Sequence, residues 1–218
     1  MIKEPPVKKD TVVSPPPAET GDPRIKPGQL SYEGFKPNNI IFLIDISSSM
    51  QGHDRLPLLK ISMETMIGQL RDIDRITIIT YASKPRVLVP ATPADYKEDL
   101  IKSIDTLRAA GSTSGSKGLD MAYAKAKESY INNANNQIIL ATDGAFDVTA
   151  RDKRLIAKYA SGITKKITLS TVGFGTARTD LRQLEELSEK GNGHYIYIPN
   201  REVAASAILD EIKNNSKK

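Results

Sequence analysis

The chain has 218 residues, of which 39% are apolar and 26% charged, with 31 Lys and Arg against 26 Asp and Glu and a net charge of +5. That is enough for one α/β domain with a closed core plus an appendage, and the basic excess is too small and too scattered to mark a nucleic-acid binder. No apolar run approaches the ~18 residues of a membrane span, and the lack of cysteine excludes disulfides, zinc–thiolate and iron–sulfur sites and cysteine nucleophiles.

Residues 1–38 hold eight of the 13 prolines, charges of both signs and no periodic apolar pattern. Proline fixes φ and removes a backbone donor, so this stretch reads as a proline-rich linker or disordered leader, with 31–38 able to pack on the domain. The N-terminus carries no apolar signal-peptide core. From Asn39 to residue 214 apolar runs and helical stripes alternate. Ile40–Ile44 reads as a strand covered on both faces, and Leu59, Met63, Met66, Ile67 and Leu70 follow helical spacing behind Pro57. Ile76–Tyr81 reads as a strand, and Val87–Val89, between Pro85 and Pro90, as a short edge strand. Helical stripes follow at Leu100–Leu107 and Leu119–Tyr130, then a buried strand at Ile138–Thr142 and a stripe from Leu155 to Ile163. Ile167–Val172 and His194–Ile198 are strands flanking a helix at Leu181, Leu184 and Leu187, and one last helix spans Val203–Ile212 before a tail, 215–218, expected to fray. Such alternation predicts an open, mostly parallel sheet with helices on both faces, whose ligands sit beyond the C-terminal strand ends where strand order reverses.

Three oxygen-rich turns fall at such ends. The first strand runs into Asp45-Ile46-Ser47-Ser48-Ser49, a carboxylate and two hydroxyls at i, i+2 and i+4. The strand Ile138–Thr142 runs into Asp143 and Gly144, and Thr113 lies in the Gly-bounded loop Gly111–Gly115 between them. Two carboxylates, three hydroxyls and water suit a hard divalent cation such as Mg²⁺, which takes oxygen ligands at ~2.1 Å and keeps waters readily. Neutral hydroxyls as direct ligands leave such an ion electron-poor and able to attract an acidic group from a partner.

Asp45-x-Ser47-x-Ser49, Thr113 and Thr142-Asp143-Gly144, in this order, resemble the metal-ion-dependent adhesion site of von Willebrand factor type A domains, and Arg55–Lys60 and Ala141–Gly144 resemble the bacterial branch of that family. The resemblance covers roughly residues 39–212. It implies a Rossmann-like fold with one antiparallel edge strand at 87–89. It also implies Ser47 and Ser49 as direct ligands, Thr113 as a direct or water-mediated one, and Asp45 and Asp143 acting mostly through water. The ion implied is Mg²⁺, with Mn²⁺ or Ca²⁺ as alternatives. Ser48 departs from the glycine found at this position in many members.

The function expected is therefore a non-enzymatic module that captures a protein partner through an exposed Asp or Glu, in an extracytoplasmic setting (bacterial periplasm or cell surface). Two other readings stand beside it: a hydrolase using metal-bound water with Asp45 or Asp143 as base, and a scaffold whose metal is purely structural. Other signals are weaker. Gly111–Gly118 lacks the Walker spacing around Lys117, Gly173-Phe174-Gly175 lacks the third glycine of a dinucleotide turn, and Ser47 stands where an aspartyl-phosphate enzyme needs a second acid. His53 and His194 have no clustered partners in sequence, and Asp54 and Asp147 are candidates for a second, adjacent ion.

Overall fold

The computed structural model describes residues 29–144, 146, 148–163, 165–174 and 181–218, without the side chain of Leu181. Six strands form one sheet: β1 (Asn38–Asp45), β2 (Arg75–Tyr81), β3 (Arg86–Pro93), β4 (Asn135–Thr142), β5 (Thr168–Phe174) and β6 (Asn192–Ile198). Their order is β3-β2-β1-β4-β5-β6, parallel throughout except for the antiparallel β2–β3 pair. Strand order therefore reverses between β1 and β4, which places the ends of those two strands side by side, with Ile44 opposite Ala141.

Alternating side chains divide the core between two faces. Ile40, Phe42, Ile44, Ile76, Ile78 and Ile139 face α1 (Leu56–Gln69), α2 (Lys97–Asp105), α6 (Arg201–Ala204) and α7 (Ala207–Ser216). Ile41, Leu43, Ile79, Ile138 and Leu140 face the other layer, which includes α3 (Gly115–Glu128), α4 (Ala150–Ala160) and α5 (Leu181–Lys190). Strands buried on both sides need apolar residues at every position, so the runs in β1 and β4 are continuous rather than alternating.

Several expectations change in detail. The edge strand β3 extends to Pro93 and passes through Pro90; with one neighbour only, a strand tolerates a missing N–H. Helix α4 stops at Ala160 because Gly162 turns left-handed (φ 70°), leaving Ile163 88% exposed rather than in the apolar stripe. The last helix is two, broken after Ala204. The C-terminal residues are hydrogen-bonded to the N-terminal segment: Lys36 N–H donates to Ser216 O (2.7 Å) and Lys218 N–H to Gly34 O (3.0 Å). Residues 29–37 likewise pack on the domain, with Leu30 buried and its N–H bonded to Gln69 O at 2.7 Å.

That N-terminal strap is held by a fully buried ion pair. Arg71 Nε and Nη2 donate to the two oxygens of Asp74 (3.0 and 2.9 Å), and Nη1 and Nη2 also reach Ser31 O and Lys36 O (2.6 and 2.7 Å). Asp74 further accepts from the Arg71 and Asn38 backbone N–H groups (2.8 and 2.9 Å). The network is stable only as a whole, and removing one partner strands a charge. Arg71→Met should cost about 3–5 kcal/mol in urea denaturation and speed amide exchange across residues 30–37; unchanged stability would show the pair to be dispensable.

Candidate metal centre

Asp45 is the last residue of β1 and continues the row Ile41, Leu43 that faces α3, so its carboxylate is carried into a dry position with no exposed surface. Its contacts account for both oxygens. Oδ1 accepts the Ser47 backbone N–H (2.8 Å), which folds the chain back into a tight turn. Oδ2 accepts the Thr142 hydroxyl (3.0 Å) and, at 3.3 Å, the hydroxyl of Tyr81, its register partner on β2. Burial pushes the Asp45 carboxyl above its ordinary pKa, against the hydrogen bonds from Ser47 and Thr142 that favour the charged form; the nearby Asp143 adds to the rise. The same burial raises Tyr81 further from ionisation, so it remains a neutral donor.

The turn created at Asp45 points two hydroxyls at each other: Ser47 Oγ and Ser49 Oγ lie 2.9 Å apart, Ser47 buried and Ser49 exposed. Ser48 locks the neighbouring loop. Its N–H donates to Gly111 O (2.9 Å), and its Oγ accepts the Gly111 N–H (3.1 Å). Ala110 N–H adds a bond to Ile46 O at 2.7 Å. Gly111 has φ 92°, a value side chains avoid, so glycine is required at the hinge of this clasp. Thr113 is carried on the same loop and is half-buried; among the described residues no hydrogen bond joins it to the other four.

Asp143 follows Thr142 directly, and Gly144 (φ 120°) turns the chain away. Its side chain is only 5% exposed. Oδ2 accepts from Arg55 Nη1 at 2.6 Å, and the same nitrogen donates to Ser49 O at 2.6 Å, so the β1 and β4 turns meet at one guanidinium. Oδ1 is buried without a hydrogen-bond partner. Asp45, Ser47, Ser49 and Asp143 are thus brought together, and Thr113 lies two residues beyond Gly111 on the loop that Ser48 clasps. Among the described residues no three carboxylate, imidazole or thiol side chains gather at this centre or at any other place, so its donors are two carboxylates and hydroxyls. An oxygen-only set of two carboxylates and hydroxyls, with an orphaned carboxylate oxygen in it, fits a hard divalent cation.

Sequence patterning does not single out Arg55 as a member of this constellation, although it opens the stretch Arg55–Lys60. A charged residue just before a proline-initiated helix is the only signal it gives. Asp152 is missed in the same way: fully buried at the start of α4, it accepts from Thr149 N–H and Oγ1 (2.8 and 2.7 Å) and from Ser116 Oγ, tying the loop after β4 to the start of α3. The glycines that resemble a phosphate loop serve packing instead. A Cβ on Gly115 would stand 2.6 Å from the Phe146 ring, and one on Gly118 would stand 3.1 Å from Leu43. His194 has a partner after all, Glu211, with Nδ1 3.0 Å from Oε2 on the nearly buried carboxylate. His53 is exposed, Asp54 Oδ1 lies 4.0 Å from Arg55 Nε, and Asp147 and Gly175 fall outside the described residues.

The comparisons with known proteins agree with this architecture. The uncharacterized protein YfbK of Escherichia coli is 35% identical over 182 residues, which is 83% of this chain and 32% of that protein; the chain thus spans about a third of this relative. The crystal structure of the conserved hypothetical protein BatB from Bacteroides thetaiotaomicron superposes with a TM-score of 0.67 at 18% identity, covering 81% of this chain and 98% of that one. Proximal thread matrix protein 1 from the mussel byssus, solved with a zinc-occupied MIDAS motif (the metal-ion-dependent adhesion site), superposes at 0.65 with 18% identity over 82% of this chain and 48% of that one. The family model of the von Willebrand factor type A domain matches residues 39–211, and the chain belongs to that family of metal-dependent adhesion and protein-interaction modules.

Proposed function

We propose that this domain is a non-enzymatic, metal-dependent protein-binding module. Asp45, Ser47, Ser49, Thr113 and Asp143 would hold one Mg²⁺, with Mn²⁺ or Ca²⁺ as alternatives, and the ion would take an Asp or Glu side chain of the partner as its remaining ligand. The observation that carries this reading is the buried, unpartnered Oδ1 of Asp143 within a cluster that already presents the paired Ser47 and Ser49 hydroxyls. A buried acceptor without a donor is costly, and a cation removes that cost. The zinc-occupied motif of the mussel protein supports a divalent ion at this place in the fold.

The bound ion would supply positive charge and an exchangeable ligand position. The residues of the chain do the rest. Asp45 fixes the turn that aims Ser47, Asp143 contributes charge beside the hydroxyls, and the Ser48–Gly111 clasp presents Thr113. A hydrolytic role needs a base free to take a proton. Asp45 has both oxygens engaged and so is not that base, and Asp143 is assigned to the ion in this reading. The linker reading of residues 1–28 lies outside the described residues, and the described stretch 29–37 straps onto the domain.

Capture of protein partners from the source organism should depend on Mg²⁺, disappear in excess EDTA and disappear with Asp143→Ala; capture that survives EDTA contradicts the reading. A second outcome follows from the raised pKa of Asp45. A carboxyl whose folded pKa lies above its unfolded value opposes folding once pH exceeds the folded pKa, and the opposition fades as pH falls toward the unfolded value. Asp45→Asn keeps an acceptor for the Ser47 N–H and removes the buried charge. Without metal its melting temperature should equal or exceed that of the wild type at neutral pH, with the gain shrinking as the solution is acidified, while the Mg²⁺-induced rise in melting temperature is lost. A metal-free Asp45→Asn variant several degrees less stable than wild type would contradict this.

A further inference from the structure

The guanidinium of Arg55 occupies an unusual position for a surface arginine. It is 27% exposed at the rim, yet its Nη1 reaches an Asp143 carboxylate that is 5% exposed, and it bridges that carboxylate to the Ser49 carbonyl. Its Nε is buried without an acceptor, so the side chain is not saturated in this pose. Asp143 is simultaneously the residue with a spare buried oxygen in the candidate metal centre. One carboxylate therefore carries a protein cation on one oxygen and leaves the other buried and unpartnered.

We propose that Arg55 is a resident counter-cation: it neutralises Asp143 while no divalent ion is present, competes with that ion for the carboxylate, and so keeps the site weak and exchangeable. This rests on the metal-centre reading above and goes beyond it by assigning what sets ion affinity.

The sign follows from comparing two effects. Arg55 holds Asp143 in one rotamer, which aids any ligand that wants it there, but ordering a short carboxylate side chain contributes little. Against this, a full positive charge in contact with the ligand carboxylate repels a doubly charged ion, and it does so at a carboxylate only 5% exposed, where Coulomb terms are stronger than in open water. Repulsion wins, so the arginine weakens ion binding. Without the ion the balance is reversed: a nearly buried carboxylate with no counter-charge destabilises the fold, and Arg55 supplies that charge. The partly exposed arginine can leave toward solvent when the ion arrives, because its stem is long and its head is at the rim.

The test is calorimetric titration of Mg²⁺ into the full chain as wild type, Arg55→Met, Arg55→Lys and Asp143→Asn, with melting temperatures in EDTA. Arg55→Met should bind Mg²⁺ at least ~tenfold more tightly than wild type, and Arg55→Lys, which keeps the charge, should stay within about threefold. In EDTA Arg55→Met should melt several degrees below wild type, and saturating Mg²⁺ should close that gap. Equal or weaker Mg²⁺ affinity in Arg55→Met, with wild-type binding intact and abolished by Asp143→Asn, overturns the inference and leaves the metal centre standing. Absence of Mg²⁺ binding in all four proteins overturns the metal centre and this inference together. If Arg55→Met does not fold, Arg55→Gln provides the same comparison.

Discussion

A charged carboxylate at a strand end that water cannot reach has to be fixed by its neighbours, and Asp45 shows how that requirement organises the whole upper edge of the sheet. One oxygen sets the turn that carries Ser47 and Ser49, while the other ties β1 to Thr142 on β4 and Tyr81 on β2. Desolvation works against the charge throughout, as the upward pKa direction records. An arrangement that opposes folding and persists is a sign of a site whose geometry serves binding.

The scaffold beneath it is built to hold that geometry still. β1 and β4 are central, apolar on both faces and parallel in register, so their ends cannot shift without disturbing both core layers. The third turn has no strand of its own to follow. It is anchored by hydrogen bonds between Ser48 and Gly111 and by close packing of Gly115 against Phe146. At the opposite end of β1 the Arg71–Asp74 pair holds the N-terminal strap in the same way, a buried charge made tolerable by complete pairing. The two ends differ in one respect: Arg71 is fully enclosed, whereas Arg55 can reach solvent.

Much of this is legible in the residues. Continuous apolar runs mark β1 and β4, and the helical stripes mark the flanking layers, because burial on two faces or on one leaves different periodicities. The Asp45, Ser47, Ser49 and Asp143 cluster is visible because short polar residues stand directly after such runs. What escapes are features that depend on long-range geometry. Arg55 sits 88 positions from the carboxylate it pairs with, and Asp152 acts on a serine 36 positions away, separations no local pattern encodes. The polar tail at 215–218 shows no apolar pattern of its own, yet its residues 216–218 pair with residues 34–36 of the strap. Ile163 misleads because helical spacing continues past Gly162, where the backbone has already turned away.

The most direct measurement is anomalous diffraction from crystals of the domain grown with Mn²⁺. A single peak is predicted at a coordination distance of ~2.2 Å from Ser47 Oγ and Ser49 Oγ, near Asp143, with the Arg55 guanidinium displaced from that carboxylate. A peak elsewhere, or none at saturating Mn²⁺ with Arg55 still seated on Asp143, would contradict both the metal centre and the role given to the arginine.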